Sequence, residues 1–260
     1  MKNKLSGIVF TLALIAPTTA WADLRFGVAA EPYPPFTSKD STGNWVGWEV
    51  DFMKALCLKL DEKCSIVEVA WEGIIPSLNT KKFDAVLASM SITEKRRAVI
   101  EFSDVYYKSS VKMIARVGAP DYHSPADLAG KSVGVQAASI QQDYAKKYFL
   151  PAGATIKTYA TQDEIQADLA AGRIDYAMGE ALELDAFLNS PQGACCHLAG
   201  GVKFDPTIFG VGVGLGLRKE DMELKQRLDG GIKSIVADGE LAKITETWHL
   251  TGKIILPAEQ

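Results

Sequence analysis

One pattern occurs twice in this chain and narrows the choice of folds more than any other feature. Arg25-Phe26-Gly27-Val28-x-Ala30 returns in kind as Ser132-Val133-Gly134-Val135-x-Ala137, and the junction Lys82-Phe83-Asp84 returns as Arg173-Ile174-Asp175. Each copy is a glycine-bearing strand followed, after helix, by a strand that opens on an acid. Two units of this kind predict two facing α/β lobes of similar plan. The Asp84 and Asp175 strands then end at one cleft, and in open α/β sheets the carboxyl edge is where small ligands collect.

The stretch that best fits a site at that edge is Asp84 to Asp104, DAVLASMSITEKRRAVIEFSD. Asp84–Ser89 reads as a short buried strand that breaks into a polar loop at Ser91-Ile92-Thr93. A helix then opens with Thr93 as N-cap and Glu94 in its first turn, where the helix dipole favours an acid. Arg96 falls in that turn, beside the hydroxyls of Ser89 and Ser91. The set suits a carboxylate, because a guanidinium offers a planar fork to two oxygens. The alternative is a plain corner whose arginine caps surface acids.

Ahead of these units, Lys2 and Lys4 precede the apolar run Gly7–Ala16 and the sequence Ala20-Trp21-Ala22. This is the pattern of a secretory signal over residues 1–22, with Asp23 as the first mature residue. The apolar run is too short for a resident membrane helix. No cysteine follows the cleavage site, so an exported, soluble, unanchored chain is expected. Loss of Lys2 and Lys4 takes the net charge from −4 to −6, which argues against nucleic acid as a partner.

Along the mature chain, strands are expected at Leu24–Ala29, Ile66–Ala70, Ser110–Arg116, Lys131–Gln136 and Ile174–Gly179. A rigid proline loop occupies Glu31–Phe36. Helices are expected at Trp48–Leu60, within Trp71–Lys81, from Ser139, from Thr161 to Gly172, at Glu180–Asn189, and twice between Asp221 and Trp248. Ser139 with Gln142 and Thr161 with Glu164 have capping-box spacing. Phe209–Leu217 alternates glycine with apolar residues, and without a following Gly-Lys-Ser/Thr it reads as a hinge strand, not a phosphate loop. In an oxidising compartment a Cys57–Cys64 bridge is the first reading, with free thiols as the alternative. Cys195 and Cys196 are adjacent in the loop-like PQGACCHLAG, and their state stays open. Neither pair has metal-site spacing, and His123, His197 and His249 are scattered, so no metal and no cofactor are expected.

The stretches EPYPPF, GWEVDFMKALC, AWEGIIPSLNTKKFDAVLASMSITEKR, GVQAASIQ, AGRIDYA and GVGLGLRKED cover nearly all of the mature chain. In that order they resemble the periplasmic polar-amino-acid-binding proteins of ABC importers, the family 3 solute-binding proteins, and within them the lysine/arginine/ornithine-, histidine- and opine-binding group. The resemblance implies a type II periplasmic binding fold, two α/β lobes joined by two crossing hinge strands that close on ligand. Lobe one would be Asp23–Tyr107 plus Gly212–Gln260 and lobe two Ser110–Gly210, with hinges near Lys108–Ser110 and Phe204–Gly212. The Cys57–Cys64 bridge has a counterpart in that group. Partners would be a membrane permease and its cytoplasmic ATPase, with the binding protein itself a monomer.

By the same resemblance Arg96 grips a ligand α-carboxylate, helped by Ser91 and the amides near Ser139–Ile140. The Ser89 carbonyl, the Ser91 hydroxyl and Glu180 hold the α-ammonium. Tyr33 and Trp71 wall the ligand side chain, Gln136 and Gln141 line the second lobe's face, and Glu31 reads a cationic tip. Ala88 and Met90 flank this set and, with Trp71, lean toward opine binders. Glu180 stands where aspartate is usual, and Ile140 where threonine is frequent. The alternatives are that Trp71 is core at a strand end, that Tyr33 packs against the prolines, and that Glu180 is a solvated first-turn acid. An enzyme of the same fold, a dehydratase of cyclohexadienyl carboxylates with Glu180 or Glu31 as its acid, is the competing expectation. It is disfavoured because binding an amino acid leaves no spare acid–base pair.

Overall fold

The computed structural model describes residues 23–257, so the expected leader at 1–22 lies outside the described residues. The repeated pattern is one piece of packing built twice. A side chain at Gly27 would meet the Phe83 ring at 2.4 Å, and one at Gly134 would meet Ile174 Cδ1 at 2.6 Å. In each copy the glycine makes room for the apolar residue that precedes the acid. The acid then reaches back to the start of the glycine strand. Asp84 Oδ2 accepts from the Arg25 amide at 3.0 Å, and Asp175 Oδ2 accepts from the Ser132 amide at 2.7 Å.

The chain begins with β1 (Leu24–Ala29), the hairpin β2 (Ser38–Lys39) and β3 (Trp45–Val46), α1 (Trp48–Leu60), β4 (Cys64–Val69) and α2 (Ile74–Asn79). It continues through β5 (Ala85–Val86), α3 (Glu94–Arg97), β6 (Glu101–Phe102) and β7 (Val111–Arg116). Next come β8 (Ser132–Gln136), α4 (Ile140–Tyr144), β9 (Thr155–Tyr159), α5 (Gln162–Ala170), β10 (Tyr176–Glu180), α6 (Ala181–Leu188) and β11 (Cys196–Gly201). The last described elements are α7 (Pro206–Phe209), β12 (Gly216–Leu217), α8 (Met222–Ala237) and α9 (Glu240–Thr247).

Besides the β2-β3 hairpin, two five-stranded sheets result, ordered β4-β1-β5-β12-β6 and β11-β7-β10-β8-β9. In the first, β1 runs parallel to β4 and β5, and β12 is antiparallel to β5 and β6. In the second, β8 runs parallel to β9 and β10, while β7 is antiparallel to β10 and β11. Each sheet has its own core. Phe26, Phe52, Leu56, Leu228 and Ile232 pack in the first, and Met113, Val133, Tyr144, Phe149 and Met178 in the second.

Helix α1 forms where the spacing of its apolar residues predicts it, with Trp48, Phe52, Met53 and Leu56 buried on one face. Trp48 stacks on Phe52 and Tyr106, and its indole N–H donates to Thr245 Oγ1 at 3.0 Å, tying α1 to α9. Cys57 is bonded to Cys64 across the turn that follows α1. Cys195 and Cys196 are bonded to each other.

Several stretches differ from the sequence expectation. The strand expected over Asp84–Ser89 is shorter: β5 covers Ala85–Val86, with hydrogen bonds to β1 from the amides of Asp84 and Leu87, and the chain turns left-handed at Ser89 with φ 49°. PQGACCHLAG holds the edge strand β11, paired to β7 with a register shift between Leu198 and Gly200. Phe209–Leu217 is strand only at its end. Gly210 (φ 72°) and Gly212 (φ 139°) interrupt it, and Val213 bridges both Ser91 and Tyr107.

Candidate functional site

A cavity of about 550 Å³ lies where the strand ends of the two sheets meet. That is a size typical of small-molecule sites. Its first wall is organised by the left-handed turn at Ser89, which breaks the side-chain alternation of a strand. Ala88, Ser89 and Ser91 all line the cavity, while Met90 is 1% exposed and packs in the core with Ile74, Leu78 and Ile92. The sequence placed Met90 among the site residues; the turn puts it behind the wall.

Thr93 caps α3 as expected, its Oγ1 accepting from the Arg96 amide at 3.2 Å. This fixes Arg96 in the first turn and sends its side chain into the cavity. Nη1 donates to the Ser91 carbonyl at 2.9 Å, and Nη2 reaches the Ala138 carbonyl at 3.5 Å. The guanidinium lies over the Trp71 ring, 5.3 Å from its centroid. Trp71 therefore supports the arginine as well as walling the cavity. Arg96 is 8% exposed, and burial lowers its pKa to about 10, which leaves it charged at neutral pH. Among the described residues it makes no ion pair with a carboxylate. Asp143, which pairs with Lys95, attracts it only from a distance; a buried cation without a directly paired carboxylate is costly, and this one faces a cavity that admits an anion.

The Ser89 turn is held by Glu49, a residue the sequence reading passed over. Glu49 accepts from the Ser89 amide at 2.9 Å and from Ser89 Oγ at 3.1 Å, and the Tyr106 hydroxyl donates to it as well. It is fully buried, and that burial pushes its pKa up to about 7 against the pull of these hydrogen bonds. Ser89 therefore spends its hydroxyl on Glu49. A signal was present in the sequence: Glu49 sits in register with Phe52, Met53 and Leu56 on the apolar stripe of α1, where an acid is out of place.

The opposite wall carries the other acids. Glu180 ends β10 and caps α6, with Oε2 accepting from the amides of Leu182 and Glu183 at 2.9 and 3.1 Å. The Ser109 hydroxyl donates to it too, and burial raises its pKa to about 7. It is a buried cap, not a solvated first-turn acid. Ser139 caps α4, accepting from the Gln142 amide at 3.1 Å and donating to the Gln136 carbonyl at 2.6 Å. Only half of its expected capping box forms, because Gln142 Oε1 accepts from Ala138 instead. Ile140 and Gln141 follow on the cavity wall.

Glu31 extends from the proline loop into the same space and accepts from Gln136 Nε2. Burial raises its pKa, and nearby Asp163 and Glu164 push the same way. Tyr33 also lines the cavity and stacks on Phe36 at 5.9 Å. Gln162, which the sequence did not single out, completes this end and is 2% exposed. Across the mouth Lys95 pairs with Asp143 at 2.7 Å. The whole presents a buried guanidinium at Arg96, two further cations at Lys108 and Lys112, two walls bearing acids and an aromatic lining, which suits a small zwitterion.

The family model for bacterial extracellular solute-binding proteins, family 3, matches residues 24–251. The histidine-binding periplasmic protein of Salmonella typhimurium strain LT2 is 36% identical over 252 residues, which span 95% of this chain and 97% of that protein. The lysine/arginine/ornithine-binding periplasmic protein of Escherichia coli strain K12 is 35% identical over 253 residues, again 95% of this chain and 97% of that one. Among solved structures, an ancestral arginine-binding protein bound to arginine superposes with a TM-score of 0.80 at 32% identity, covering 87% of this chain and 97% of that chain. No helix among the described residues is long and apolar enough to cross a membrane. The chain belongs to the bacterial extracellular solute-binding proteins, family 3.

Proposed function

We propose that this protein captures a cationic amino acid, or an arginine-derived opine, in the periplasm and delivers it as a monomer to an ABC permease driven by a cytoplasmic ATPase. The observation that carries the reading is Arg96, a buried guanidinium with no ion-paired carboxylate among the described residues, facing Glu31 and Glu180 across one cavity. Arg96 takes the α-carboxylate, with Ser91 and the amides at the start of α4 beside it. Glu180 and the Ser89 carbonyl take the α-ammonium, and a bound cation there draws Glu180 toward its charged form. Tyr33 and Trp71 flank the side chain, and Glu31 meets its tip. Export by the segment 1–22 belongs to the same proposal.

The dehydratase alternative needs a free acid to protonate a leaving group. In the binding reading Glu180 and Glu31 are both taken up by the ligand's cationic groups, which leaves no spare acid–base pair. The curated relatives reported above are named as binding proteins. Binding without turnover is therefore the reading adopted.

Calorimetry of the mature protein tests the ligand class. Arginine, or an opine built on it, should bind above lysine and ornithine, with glutamate and leucine excluded, because a neutral tip leaves Glu31 buried without a cation. Glutamate binding tightest would show that the tip pocket is not cationic.

Lobe one is proposed as 23–107 plus 212–260 and lobe two as 110–210, turning about 108–110 and 204–212. A ligand that touches both favours the closed form, which alone makes both sets of contacts. Solution scattering should therefore show a smaller radius of gyration when arginine is added. A curve that saturating arginine leaves unaltered removes the hinged closure.

A further inference from the structure

Lys95 and Asp143 join the two halves of the molecule without taking part in the cavity between them. Lys95 lies on α3, between β5 and β6 of the first sheet, and Asp143 on α4, which follows β8 of the second. Lys95 Nζ donates to both carboxylate oxygens of Asp143, at 2.9 and 2.7 Å. Neither residue lines the cavity. Two other polar contacts cross between the same halves, Arg96 to the Ala138 carbonyl and Gln136 to Glu31. Arg96, Gln136 and Glu31 all line the cavity, so a ligand competes for their groups. Lys253 and Asp185 also face each other from the two halves, but at 3.6 Å, beyond hydrogen-bond length. The Lys95–Asp143 pair is thus a close contact between the halves that a ligand neither makes nor replaces.

In a hinged protein, any contact made only in the closed form raises affinity, whether or not it touches the ligand. With the lobes apart, Lys95 and Asp143 are each hydrated; with the lobes together, they pair. Lys95 has 75% of its side chain accessible, and an exposed pair is worth up to about fivefold in an equilibrium constant. That is enough to adjust affinity and too little to hold the protein shut before a ligand arrives. We infer that Lys95 and Asp143 are affinity-setting residues, a latch between the lobes that slows ligand escape without touching the ligand. This rests on the hinged, cationic amino-acid reading given above. The rival account is a through-space field, since Asp143 attracts the neighbouring Arg96 from a distance. The two accounts differ in sign. A latch is weakened by reversing either charge, whereas a field on the ligand carboxylate is strengthened when Asp143 becomes a cation.

The test is calorimetry and stopped-flow dissociation of arginine on the native protein, Lys95→Asp, Asp143→Lys and the double exchange, with ligand-free melting curves to establish folding. Either single reversal sets like charges face to face and should weaken arginine about tenfold, mainly through faster dissociation. The double exchange should return affinity to within about threefold of the native value. Ligand-free melting temperatures should be alike in all four proteins, because the pair forms only when the lobes meet. Lower ligand-free melting in both single variants, restored by the exchange, would make the pair a structural one and overturns the latch. Tighter binding by Asp143→Lys overturns it in favour of the field, and so does an exchange no better than the weaker single variant. Solution scattering separates these failures from failure of the reading beneath. If arginine shrinks the native radius of gyration and the exchange does not restore binding, only the latch falls. If arginine does not bind, or leaves the scattering unaltered, closure on a cationic ligand falls and the latch with it.

Discussion

Arg96→Ala should weaken amino-acid binding by at least about a hundredfold without lowering the melting temperature of the ligand-free protein. The two halves of this expectation come from the same geometry. Arg96 is buried against Trp71 and the Ser91 carbonyl, and among the described residues no carboxylate pairs with it. With ligand bound, removing it strands a desolvated carboxylate, and breaking a buried pair on one side costs roughly 3–5 kcal/mol. Each 1.4 kcal/mol is about tenfold in affinity, which sets the hundredfold floor. Without ligand, the arginine is a desolvated cation whose loss relieves as much as it forfeits. Calorimetry beside thermal melts separates the two halves. Unchanged affinity would take Arg96 out of the site, and a large fall in the ligand-free melting temperature would make it a structural residue.

Ligand-free stability should fall as pH rises from about 5 to 8, with Glu49 as a principal cause. Glu49 and Glu180 both have pKa values raised by burial from 4.5 to about 7. A group of this kind holds its proton more tightly in the folded state. Its contribution is fully present below the unfolded value and is lost as pH climbs through the folded one. A shift of this size corresponds to something on the order of 3 kcal/mol per group. Asp84, Asp175 and Asp205 are shifted the other way by their hydrogen bonds and ion pairs, so their contribution is lost in acid. Stability should therefore peak in the mildly acidic range. Glu49→Gln keeps the shape and removes the titration, and should flatten the alkaline limb of a melting-temperature profile. A profile of unchanged slope in that variant would show that Glu49 does not titrate in this window.

What could be read from the sequence was whatever is settled by neighbours in the chain. Strand β1 and helix α1 have the limits that their apolar patterns predict. Thr93 and Thr161 cap their helices through hydroxyls that need only the next turn. Strands β9 and β11 escaped notice because they are short edge strands whose polar and small residues leave no apolar run. In the site, Arg96 was legible from its place just after a cap. Glu49 was not, because its importance arises from a left-handed turn at Ser89, forty residues away in sequence. Gln162 was hidden for the same reason: its place at the cavity depends on Gln136, which reaches it only through the fold.

The order of strands also bears on how the molecule is made. Every strand of the second sheet comes from one continuous stretch, Val111 to Gly201, whereas the first sheet needs β12, Gly216–Leu217, between β5 and β6. A chain emerging from its amino end can complete the second sheet before the strand that joins the two edges of the first exists. Contacts so far apart in sequence close slowly. Until Gly216 arrives, β5 and β6 carry unpaired edges beside the Arg96 corner, so the half-made molecule exposes for longest the first wall of the candidate site. A chain halted before residue 216 should be far more open to proteases at 85–102 than within 111–201.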